Sequence, residues 1–133
     1  MLPTEKQSHI NRLHRYSLSD WEPLFAFIPL MASPEQPTGN ALDSMVWDFV
    51  QATTRTPYIM IVFDWGDWQE GKAFLMSDKP TFEHYDLLTL CMLVTTIIRA
   101  ERFNEGFLME CYKKGIIVNV LNAIKTRAEE QFH

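Results

Sequence analysis

At 133 residues, 47% hydrophobic and 13% aromatic, the chain is long enough for one domain with a core that needs neither metal nor disulfide, and its composition excludes chain-wide disorder. Its net charge is −5, and its only basic clusters, Lys6–Arg15 and Lys113-Lys114, are too small to displace counterions from a phosphate backbone, which argues against nucleic acid as a partner. The longest unbroken apolar run, Tyr58 to Phe63, falls far short of the roughly 20 residues that span a bilayer, so no membrane partner is expected.

Residues 1–18 carry no sustained period and read as a flexible N-terminal arm or a short irregular helix. They also lack the apolar stretch of a signal peptide, so the expected location is the cytoplasm. Residues 19–133 read as a single helical domain. Ser19-Asp20-Trp21-Glu22 has the S-x-x-E spacing of a capping box and opens the first helix. Pro29 lacks an N–H and disfavours helical geometry at Ile28, so that helix should end or kink there. A loop follows at Ser33–Gly39, rich in Pro and Gly. Leu42, Met45, Val46, Phe49 and Val50 then form one helical stripe, closed by Arg55-Thr56-Pro57.

The next stretch, VFDWGDWQEGKAF (Val62–Phe74), contains G-x-x-x-x-G-K, the spacing of a phosphate-binding P-loop. Its context argues against that role. Asp67 and Glu70 would face the phosphates, Ala73 replaces the magnesium-binding hydroxyl, and no strand–helix alternation surrounds it. A helix start explains more of these residues, with Asp64 as N-cap, Asp67 at the capping-box position, and Phe63 and Trp68 as a hydrophobic staple. The preceding residues are a buried extended connector, the end of a helical hairpin, or a short strand at 58–63. Ser77-Asp78-Lys79-Pro80 breaks the helix.

From Asp86 the run LLTLCMLVTTII is apolar nearly all round, as a central helix enclosed by others would be. Asn104 reads as the N-cap of a helix from Glu105 to Lys113, stopped by Gly115 in the left-handed position. Ile116, Ile117, Val120, Leu121 and Ile124 stripe a final helix. The fold class is therefore all-α: a compact bundle of five or six short helices around a buried central helix at about 86–103. The second choice is α+β with one strand at 58–63.

The elbow RAERFNEG, Arg99 to Gly106, concentrates four charges after the most buried helix. Arg99 and Arg102 could hold a carboxylate or phosphate, with Glu101 or Glu105 as general base. In the structural alternative, Arg102 pairs with Glu105 and caps the end of the central helix. Trp65 and Trp68 complete the candidate site if the two segments meet. FDWGDWQ (Phe63–Gln69), followed by IRAERFNEGFL (Ile98–Leu108) and KKGIIVNVLNAIK (Lys113–Lys125), resembles a family of small bacterial proteins classed as a domain of unknown function. Its members carry F-D-W-x-x-W-Q and R-x-D/E-R-F-x-E-G segments, with a proline frequent where this chain has Gly66. The likeness covers about the C-terminal half. It implies a bacterial, cytosolic protein and supplies no activity.

Other groupings are weaker. His84 and Cys91 would stand roughly 10 Å apart along a helix, too far for a nucleophile and its base. Cys91 and Cys111 read as reduced, buried thiols. His9 and His14 lack carboxylate partners at ligand spacing, and Asp64 and Asp67 are already employed in capping, so neither metal nor cofactor is expected. Seven Met, nine Phe and four Trp place some large apolar side chains near the surface. The expected function is a binding or interaction module for a protein partner or small ligand, or a homodimer. The alternative is an enzyme using the 99–106 elbow on an anionic small molecule.

Overall fold

A computed structural model describes residues 1–56, 59–77 and 80–131. Among these the regular structure is helical and contains no strand. Pro57, Tyr58, Asp78 and Lys79, to which the sequence assigns one helix end, a strand start and a helix break, lie outside the described residues.

The N-terminal arm is helical over Pro3–Leu13 (α1), with Pro3 in the first turn, where its missing N–H costs nothing. Leu13, 1% exposed, anchors the end of α1 in the core. α2 (Leu18–Phe25) starts two residues before the anticipated position. Asp20, rather than Glu22, reaches back to accept the Ser17 N–H at 2.8 Å. The helix then stops at Ala26 and restarts as α3 (Phe27–Ala32), which places Pro29 in a first turn, where it is tolerated. The break expected at Ile28 thus falls two residues earlier, at Ala26.

In the following loop, the Gln36 amide donates to the Leu30 carbonyl at 2.9 Å and the Ser33 carbonyl at 2.6 Å, and its oxygen accepts from the Tyr112 hydroxyl. α4 (Gly39–Arg55) buries Val46 and Phe49 on the predicted stripe. Ile59 to Val62 form an irregular connector, not a strand: it begins in a turn, with the Ile59 N–H on the Thr56 carbonyl at 3.1 Å. Ile59 and Ile61 are buried, and the connector is tied to the central helix through Thr95.

That central helix, α6 (Leu87–Ala100), is capped by Asp86, whose carboxylate accepts the Thr89 N–H at 2.8 Å. It is buried nearly all round, as its sequence requires. α7 (Phe107–Lys113) begins at Gly106, two residues beyond Asn104, and ends before Gly115 at φ 77°. α8 (Ile116–Gln131) buries the five predicted stripe residues together with Ala128. It packs against α2, α3, α6 and α7. Arg127 on α8 donates to the carbonyls of Tyr85 (3.0 Å) and Glu83 and pairs with Glu130 (3.0 Å), which fastens the loop that leads into α6. No helix among the described residues is long and apolar enough to cross a membrane.

Candidate functional site

The Phe63–Phe74 segment is a helix start in two pieces. Trp65–Asp67 form a single 3-10 turn, with the Asp67 N–H on the Asp64 carbonyl at 3.2 Å, and α5 (Gln69–Leu75) follows after Trp68. The anticipated staple is present, with the Phe63 and Trp68 rings edge to face at 5.6 Å. The anticipated side-chain cap is not: the Asp64 carboxylate makes no cap hydrogen bond. It lies instead beside Asp67. A hydrogen bond between the two side chains, and then the Asp64 charge, push the Asp67 carboxyl above its ordinary value.

The P-loop spacing has another use. Lys72 turns back on its own segment, donating to the Gly66 carbonyl at 2.6 Å, with its ammonium 5.9 Å from the Trp65 ring centre. Gly71 is the seat of the Trp68 indole. A Cβ there would overlap Cε3 and Cζ3 of that ring and come within 2.6 Å of Cδ2.

The two candidate segments do meet, through aromatic rings rather than charges. Trp65 packs against Phe103 of the elbow with ring centres 5.9 Å apart, and Phe103 is itself 78% exposed. Trp68 belongs to the other side of the segment, with Phe63. Glu101 has a structural task that its sequence position does not suggest. Its carboxylate accepts the Gly106 N–H at 2.8 and 3.0 Å, with the Leu108 N–H 3.5 Å away, and so caps α7 from the end of α6. Gly106, at φ 95°, makes the reversal between them.

Arg99, Arg102 and Glu105 are exposed, and among the described residues none of the three enters an ion pair. The expected Arg102–Glu105 pair is therefore not formed, and the arginines do not converge on a cavity with the tryptophans. Two mutational outcomes follow. Glu101→Ala should cost about 1 kcal/mol, the usual worth of a cap, whereas Arg102→Ala should stay within about 0.5 kcal/mol of wild type, as at other free surface positions. Urea denaturation of both variants checks the ordering, and a larger loss at Arg102 would contradict it.

A groove of about 800 Å³ opens on the Trp68 side. Leu88 and Leu93 of α6 are buried at its base, with half-buried Met92 beside them. Phe63, Trp68 and Phe74 line it from the α5 side. Exposed Asp64, Asp67 and Glu70 contribute to its lining, and α1 adds Leu2, Glu5 and Lys6. Sequence reasoning found Trp68 and the acids but missed α1 and Met92. The α6 contribution was legible only as a helix apolar on every side, and nothing in that pattern marks which side faces a groove.

A family profile described as "Family of unknown function (DUF6508)" matches residues 16–130, and the chain belongs to that family. The match begins after α1 and includes both the FDWGDWQ segment and the elbow. No curated protein and no solved structure matches the chain.

Proposed function

We propose that the protein is a binding module and that the groove between α1, the Phe63–Phe74 segment and α6 receives a small ligand. The supporting observation is the groove's construction: a volume within the range of small-molecule sites, an apolar base, aromatic side chains and a few convergent polar groups. The enzymatic alternative has less support. Glu101 is spent on capping backbone N–H groups, and Arg99 and Arg102 stand on open surface without an adjoining cleft among the principal grooves. A homodimer or protein partner would use the exposed large side chains instead, Trp47 (61% exposed) and Phe103 foremost.

Titration of ¹⁵N-labelled protein with a set of phenols, benzoates and benzylamines tests the reading. The Trp68 indole N–H signal should move while that of Trp47 stays fixed. Perturbations centred on Trp47 or Phe103, or a doubled mass in light scattering, would favour the protein-partner alternative and remove the groove from consideration.

A further inference from the structure

We infer that the groove selects an organic ammonium ion with an apolar body, an inference that rests on the groove's being the binding surface. Charge argues first. Glu5, Asp64, Asp67 and Glu70 line it, against Lys6 and the Met1 amine, and among the described residues Lys6 enters no ion pair with those acids. Asp64 and Asp67 stand at the two ends of one 3-10 turn, where a side-chain hydrogen bond and then the Asp64 charge push the Asp67 carboxyl up. The Lys72 ammonium offsets this only in part, so a further cation between the acids and the rings would be favoured.

Geometry then separates the kinds of cation. A hard divalent ion needs several oxygens converging within about 2.6 Å. Among the described residues, no three His, Cys, Asp or Glu side chains are arranged to hold a metal. An alkylammonium has no such requirement. It is content with one or two carboxylates at its head and aromatic faces along its body. Trp68 and Phe74 are placed for that second part, and Leu88 and Met92 extend the apolar surface. The same segment already makes one contact of this kind internally, with the Lys72 ammonium over Trp65. The inferred ligand is opposite in sign to the anion that the elbow arginines suggest from sequence.

The test uses three probes of similar size, 2-phenylethylammonium, 2-phenylethanol and 3-phenylpropanoate, titrated into the full chain while the Trp68 indole signal is followed. The ammonium should bind at least tenfold more tightly than the alcohol, and the propanoate most weakly. Asp64→Asn/Asp67→Asn should abolish the preference for ammonium over alcohol while leaving alcohol binding in place. If that variant does not fold by circular dichroism, Glu5→Gln/Glu70→Gln takes its place with the same expectation of a reduced preference.

Equal binding of the ammonium and the alcohol would overturn the charge inference and leave the groove reading standing, as would strongest binding of the propanoate. A response of Trp68 to calcium but not to the ammonium would overturn the inference in favour of a metal. Silence of Trp68 toward all three probes would overturn the inference and the groove reading together.

Discussion

Gly71→Ala is expected to destabilise the protein by about 1–3 kcal/mol, the usual cost of forcing an extra methyl into a filled site. Two effects oppose each other here. Gly71 is helical, in the first turn of α5, and alanine is the better helix former by about 0.5–1 kcal/mol. The methyl, however, would occupy the space of the Trp68 ring, which is itself held edge to face on Phe63. The ring must leave or the helix must shift, and either outcome outweighs the propensity gain. The melting temperature should fall by several degrees, since 1 kcal/mol corresponds to roughly 3–6 °C at this chain length. Tryptophan emission should move to the red as Trp68 meets water. An unchanged or raised melting temperature would show that the indole yields freely, and the packing argument would fail. The displaced ring lines the groove, so the proposed binding there should weaken as well.

Thr95→Val should cost a comparable amount, about 1–3 kcal/mol, for a different reason. The Thr95 hydroxyl accepts the Ile61 N–H at 3.0 Å and places its own proton among the carbonyls of Cys91 (2.9 Å) and Ile59 (3.3 Å). Ile59, Ile61 and Thr95 are all buried, so no water can replace what valine removes. The connector's N–H would be left without an acceptor in an apolar surround. Thr95→Ser keeps the hydroxyl and should lose about half as much or less, mainly through the missing methyl. Hydrogen exchange at the Ile61 amide is the direct measurement. Protection there should collapse in the valine variant and persist in the serine one. Equal stability of the two variants would mean that the methyl, and not the hydrogen bonds, holds the connector.

These two positions also show what the sequence could and could not reveal. The burial of α6 and the stripe of α8 are local patterns, written at spacings of three and four residues, and they fold as written. The stop at Gly115 is equally local, because few residues other than glycine accept φ 77°. The start of α2 was misplaced because Ser17–Asp20 and Ser19–Glu22 offer the same spacing, and local sequence cannot choose between them. The start of α7 was misplaced because its cap comes from Glu101, five residues ahead of the Gly106 N–H and on a different helix.

Helix α1 is legible in the sequence only as one of two alternatives, for a further reason. It is mostly polar and docks mainly through its C-terminal end, so no stripe announces it. The ties that shape the site lie beyond any local pattern. Thr95 and Ile61 are 34 residues apart, and Arg127 and Tyr85 are 42 apart. The candidate site was accordingly half legible. Trp65 and the elbow do meet, as the two notable segments suggested, but through Phe103, while the cavity formed on the opposite side around Trp68.

The position of α8 in chain order has a consequence for how the protein must be made. α6 is apolar on nearly every side, and α8, which covers one side of it and also touches α2 and α3, is synthesised after α1 to α7. The carbonyls of Glu83 and Tyr85 likewise wait for Arg127. A growing chain that has reached Gly115 can already lay α1, α5 and α7 against α6, but the side of α6 that α8 covers, and the surfaces of α2 and α3 that await α8, are still open. Transiently exposed apolar surface of this kind makes a partly folded chain prone to aggregate. The last side of α6 closes only when α8 is in place.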